Sequence, residues 1–128
     1  MEQIAQIDIE KYAGATIQKI RSNILVLTDN QREHIIKRRG KDFFDRCSPY
    51  FQEIAEDPDY IFKDKAHENT VLATKTIVME GKNVHLVIRL AVEGDERGLE
   101  NSIITAIVEN DKRYQQRLRN NVPLYKKE

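Results

Sequence analysis

The spacing of apolar residues in this 128-residue chain changes at Pro58, and that change restricts the fold more than any other feature. Before Pro58 the signals are helical. "TDNQ" places Thr28 three residues ahead of Gln31, a capping-box spacing, so a helix starts there, and Gly40 is a fitting stop. Phe43, Phe44 and Cys47 make an apolar face. Ser48 as N-cap, with Pro49 at the first helical position, restarts a helix that Tyr50, Phe51 and Ile54 carry as far as "EDPD". After Pro58 the period becomes two. "YIFKD", "TVLATKTIVM", "VHLVIRLAV" and "NSIITAIV" read as strands, with a hairpin turn through Gly81 in "EGKN" and an acidic loop in "EGDERGLE". "DKRYQQRLRN" then reads as a basic helix, followed by the tail "VPLYKKE". Two weaker strand signals, "IAQIDI" and "NILVLT", precede the helices. Helices first and an antiparallel meander afterwards is an α+β plan: N-terminal helices packed on the sheet, and a C-terminal basic helix.

Length and composition fit one domain over residues 1–128, since the chain shows no repeat, linker or low-complexity tract. With 40% hydrophobic residues it has enough apolar content for a core and is not disordered. Cys47 is the single cysteine and cannot form an internal disulfide, which points to a reducing, cytoplasmic setting. No apolar run reaches about 20 residues, the length a membrane span needs. "MEQIAQIDIEKY" has an early Glu2 and no long apolar stretch, unlike a signal peptide.

The net charge is zero, yet charge is segregated. Arg32, Lys37, Arg38, Arg39 and Lys41 face only Glu33 over residues 32–41, the last eighteen residues are also basic, and residues 53–68 are acidic. Such segregation makes local fields on a neutral molecule. On a helical wheel Ile35 and Ile36 mark the buried face, and Gln31, His34 and Arg38 fall within about 60° of one another, away from it. A guanidinium beside an imidazole disfavours imidazolium, which suits His34 to act as a base. The plainer reading is a surface histidine on a solvated helix. Lys75 and Arg89 each sit in the middle of an apolar strand pattern, so each must be paired with a carboxylate or lie on an open face. On one open face the two could hold a phosphate, with Ser102 and Thr105 adding hydroxyls. Other templates fail: His34, His67, His85 and Cys47 lack zinc spacing, and there is no glycine-rich phosphate loop or nucleophile elbow. Phe43, Phe44, Tyr50 and Phe51 read as core before they read as base-stacking residues.

"ILVLTDNQREHIIKRRG", followed in order by "EIAEDPDYIFKD", "NTVLATKTI", "LVIRL", "NSIITAI" and "YKK", resembles the phage-associated nuclease domains grouped with barnase, EndoU, the tRNA-cleaving colicins and RelE. The resemblance runs from about Asn23 to Lys127. It implies an α+β fold and metal-independent RNA cleavage by attack of the substrate's 2′-OH, without a cofactor, in a toxin-like protein of a phage or mobile element. It also implies RNA as partner, with an acidic antitoxin or immunity protein as a second. The family's helix histidine matches His34, its strand lysine Lys75, its strand arginine Arg89, and its "NSIIT" motif Asn101, Ser102 and Thr105. These imply His34 as base or acid, Arg89 and Lys75 on the phosphate, and Ser102 or Thr105 orienting it. Substrate contacts would come from Arg38, Arg39, Asn101, Arg117 and Lys126. Arg39 and Gly40 stand where the family often has a second histidine and a proline; if that histidine is the family's proton donor, then either catalysis is lost here or another group supplies the proton. The alternative is a non-catalytic RNA- or protein-binding member of the same fold. A generic accessory protein of a mobile element, with charge patches that are only surface, is a third reading.

Overall fold

The computed structural model describes residues 1–79 and 82–128. The period-two segments form β3 (Tyr60–Lys63), β4 (Thr70–Met79), β5 (Lys82–Arg89) and β6 (Asn101–Asn110), each antiparallel to the next. This is the expected meander. The expected turn in "EGKN" falls on Glu80 and Gly81, which lie outside the described residues. Three further strands extend the meander. The N-terminal signals become β1 (Glu2–Gln6) and β2 (Ile24–Leu27), an antiparallel pair, and β2 runs parallel to β6. The tail contributes β7 (Tyr125–Lys126) beside β3, where the sequence suggested only a tail. The result is one seven-stranded sheet in the order β1-β2-β6-β5-β4-β3-β7, and the fold class is α+β.

Four helices, α1 (Ile9–Tyr12), α2 (Asp29–Arg39), α3 (Lys41–Cys47) and α4 (Phe51–Glu56), contribute to the core on one face of the sheet. α2 forms where its cap dictates: the Thr28 hydroxyl accepts from the Gln31 N–H at 3.2 Å, satisfying an amide that the first turn leaves free. Gly40 stops it at φ 94°, a left-handed backbone that glycine adopts without a Cβ clash. Ser48 does not cap the next helix. It opens a 3-10 turn, Ser48–Tyr50, the cap position of α4 falls on Tyr50 instead, and Tyr50 is exposed. The turn of Pro49 joins α3 to α4 almost directly, so no free helix start exists for Ser48 to satisfy.

Period two then sorts β5. Val84, Leu86 and Ile88 point at the helices and are fully buried against Phe51, Ile54 and Ile35. Burying such a side chain is worth about 1.5–3 kcal/mol, so this layer holds the fold. β5 ends at Arg89, three residues short of the expected Val92: Leu90 donates instead to the Asn69 carbonyl at 2.7 Å, and Val92 keeps only a bridge to Ile20. His85, Val87 and Arg89 point to the opposite face. α5 (Asp111–Asn120), capped by the Asn110 side chain on the Arg113 N–H at 2.8 Å, lays Tyr114 over part of that face and leaves the rest open.

Candidate functional site

The uncovered part of the sheet is a groove of about 620 Å³. Val87 and Arg89 of β5, Thr70 of β4, and Ile104 and Thr105 of β6 form its floor, and the loop 64–69 forms a wall with Asp64, His67 and Glu68. A bulge makes this floor. Val87 pairs with Thr105 while Ile88 pairs with Ile103, so Ile104 is an extra residue on β6, and the two adjacent side chains Ile104 and Thr105 both reach the groove.

Two residues singled out in the sequence, Arg89 and Thr105, meet here. Arg89 is already engaged. Its guanidinium donates twice to Asp95, at 3.1 and 3.2 Å, and once to the Leu90 carbonyl. Asp95 also accepts from the Val92 N–H at 2.8 Å. The Arg89 hydrogen bonds, then that of Val92, hold the Asp95 carboxyl below its ordinary range. Arg21 donates to the carbonyls of Asp95, Glu96 and Leu99, so two arginines fix the acidic loop at the end of the groove.

Sequence patterns pass over His67. It stands in the groove wall with Nδ1 3.6 Å from Asp64 Oδ2, and Nε2 has no partner among the described residues. Asp64 is itself held, since its Oδ1 accepts from the Ala66 N–H at 2.8 Å and the His67 N–H at 3.3 Å. Asp64, fixed by its own loop, thus lies near one ring nitrogen at a distance beyond a hydrogen bond, and the largely exposed ring lines the same groove as Arg89 and Thr105. The local signal is the Asp64-to-His67 spacing of three in a loop, which has no meaning until the loop is placed over the sheet.

The other candidates lie elsewhere. His34 is exposed on α2, together with Arg38 and Arg39, and lines neither this groove nor its neighbour. Lys75 does not share a face with Arg89. It follows Val71 and Ala73 on the helix side, where Nζ donates to the Asp57 carbonyl at 2.8 Å and its carboxylate at 2.9 Å, at the end of α4. Lys127 donates to the same carboxylate at 2.7 Å, and the Lys127 and Lys75 hydrogen bonds draw the Asp57 carboxyl down to about 2. Asn101 is not presented to a ligand. It is fully buried, accepts from the Ala91 N–H at 2.7 Å, and donates to the carbonyls of Ser22 and Ile24 at 2.7 and 2.9 Å. Ser102 pairs in register with Arg89 and is half-buried, and Lys126 is exposed on β7.

Under α5 the same face holds a second histidine. His85 is fully buried, with Nε2 2.7 Å from Glu109 and its ring 5.0 Å from that of Tyr114. Arg117 donates to both Glu109 oxygens, at 3.0 and 2.8 Å. Burial disfavours imidazolium and outweighs the pull of Glu109, so His85 titrates below its ordinary value. Burial opposes the charge on Glu109 most strongly, but the Arg117 hydrogen bonds and charge together with His85 outweigh it, and that carboxyl is lowered. This cluster fastens α5 to the sheet. Among the described residues no three His, Cys, Asp or Glu side chains are grouped to hold a metal ion, and no helix is long and apolar enough to cross a membrane.

Residues 1–126 match the phage-Barnase-EndoU-ColicinE5/D-RelE like nuclease2 family. The match takes in β1 and α1, which lie upstream of Asn23. Among curated proteins and among solved structures nothing matches.

Proposed function

The chain belongs to this phage-associated nuclease family, and from that premise we propose that it is an endoribonuclease that cuts RNA without a metal ion, in a toxin-like role. The observation that carries the proposal is the open-face groove, where His67, Arg89 and Thr105 stand together over the β6 bulge. In the reaction the 2′-oxygen attacks the adjacent phosphorus, the bond to the 5′-oxygen breaks, and a 2′,3′-cyclic phosphate and a 5′-hydroxyl form. One group takes the 2′ proton and another returns a proton to the leaving 5′-oxygen. His67, with Asp64 close by, moves one of these protons. Thr105 positions a phosphate oxygen. Arg89 shapes the site through Asp95, and its remaining N–H groups face the charge that develops on phosphorus. His34, the histidine to which the family motif points, stands on α2 on the helix side of the sheet and lines no part of this groove, so the second proton is exchanged with solvent.

The test is cleavage of a single-stranded RNA oligonucleotide in EDTA by the unaltered chain, His67→Ala, His34→Ala and Thr105→Val. The expected products carry cyclic phosphate and 5′-hydroxyl ends. His67→Ala should lower the rate by about 10²–10⁴-fold, the range for losing one proton-transfer group. No cleavage by the unaltered chain, or cleavage that needs added metal, rejects the proposal. Full activity in His67→Ala with loss in His34→Ala transfers the role to His34.

A further inference from the structure

The groove does not end at His67. Beyond Asp64 and Val87 it continues into a second depression of about 340 Å³ lined by Phe62, Lys63, Lys65, Leu72, Ile107 and Arg117. Three features set this depression apart. Val87 and Ile107 are β-branched apolar side chains on the two middle strands, yet they are only half-covered, whereas Val84, Leu86 and Ile88 on the other face are fully buried. Val87 and Ile107 together leave a small apolar area open at the centre of the sheet. Lys63 and Lys65 also line it; both are exposed, and neither has a partner among the described residues. Asn121 also lies in this stretch: its Nδ2 donates to the Arg117 carbonyl at 3.0 Å, and its side-chain oxygen is left free to accept.

Apolar floor, free cations and one amide oxygen are what an unpaired nucleotide requires. A base needs a desolvated surface and a polar group at its edge, and its phosphate needs unneutralised charge. A duplex keeps its base faces stacked inside and gains nothing from an apolar floor. We propose that this depression is a subsite for an unpaired nucleotide of the RNA, one step along the strand from the scissile phosphate. The base rests on Val87, Leu72 and Ile107, the Asn121 oxygen accepts from its edge, and Lys63 and Lys65 hold the flanking phosphate. The proposal rests on the nuclease reading for the identity of the ligand. It goes beyond that reading in making the substrate single-stranded over this stretch. It also gives the free lysines, rather than the paired Lys75 and Arg89, the task of backbone binding.

The test uses the full chain and a mixed-sequence 2′-O-methyl RNA hexamer, which cannot be cut because the nucleophile is blocked. Affinity is read by fluorescence anisotropy at several salt concentrations, and location by amide chemical shifts. The single strand should shift the Lys63, Val87 and Ile107 resonances and bind at least about 10-fold tighter than the same strand annealed to its complement. Lys63→Glu with Lys65→Glu should weaken binding about 10-fold or more and reduce the salt slope by about 1 for each phosphate no longer neutralised. Ile107→Asp, at a half-covered position, should weaken binding with the salt slope unchanged, which a merely electrostatic surface would not do. Equal affinity for duplex, shifts confined to α2, or unchanged binding in the lysine variant overturns the subsite. Preferential binding of an acidic protein at the same resonances, with no RNA binding, also overturns it. Because the probe cannot be cleaved, failure of the subsite and failure of the nuclease reading separate: tight binding without RNA cleavage rejects only the latter, and cleavage with unaffected binding in the variants rejects only the former.

Discussion

The two faces of the sheet are made by the same strands and do different work. On the helix face every inward side chain of β5 meets an aliphatic or aromatic partner, and the charge there is that of Lys75, tied to Asp57 where α4 ends. On the other face the same strand carries Asn83, His85, Val87 and Arg89; Asn83 and His85 are buried, the latter against Tyr114 of α5, while Val87 and Arg89 stay partly open. The covered face is filled, and filling is what makes a fold stable. The uncovered face keeps apolar side chains half-exposed beside polar ones, which costs stability and leaves room for a ligand. The difference places the candidate chemistry on the open face, although two of the cations that the sequence singled out stand on different faces.

That contrast can be broken first by packing. Ile54→Ala, on the filled face, should cost about 3–4 kcal/mol in urea denaturation, whereas Ile107→Ala on the open face should cost about 1 kcal/mol. Equal losses would mean that the open face is packed as tightly as the other. Next comes Asn101→Ala, which should cost about 2 kcal/mol because it leaves the Ala91 N–H and two carbonyls unpaired in the interior. A stable variant with weakened RNA binding would instead return Asn101 to the substrate.

The buried polar cluster gives a pH test. His85 titrates lower in the folded chain than the roughly 6.5 of an unfolded one. As pH falls through that value the unfolded chain takes up a proton that the folded chain does not, so stability present at pH 7.5 is lost toward pH 5.5. The groups facing His85 are Glu109, Arg117 and Tyr114, and Glu109, being lowered as well, adds loss in the same direction only further into acid. The denaturation midpoint of the unaltered chain should fall over this interval, and that of His85→Gln should fall less. An identical slope in both would remove His85 from the account. The smallest effect belongs to the exposed Lys41–Asp45 pair at 2.7 Å: Asp45→Asn should change stability by about 0.3 kcal/mol and less at high salt. A larger loss would show that the surface of α3 matters to the core beneath it.

The histidines show how legibility divides. The helix of His34 is readable to its ends, because Thr28, Gln31 and Gly40 act within a few residues of themselves. His67 carries only a spacing of three from Asp64, whose meaning comes from a loop that reaches the groove only after β3 and β4 have paired. The pairing of Lys75 with Asp57 spans 18 residues and crosses the end of a helix, so charge pattern alone offers a phosphate role and a structural one with equal force.

What the chain settled by itself was whatever depends on near neighbours: the change of period at Pro58, the α2 cap, the meander from β3 to β6, and the motifs that place it in a nuclease family. Tertiary structure decided the parallel pairing of β2 with β6, the β7 edge, which cations are neutralised, and the bulge that turns Ile104 and Thr105 into one groove. The reason is range. Caps and periodicity are written in contacts three or four residues apart, whereas register, pairing and burial of charge are set by partners tens of residues away, whose identity no local pattern encodes.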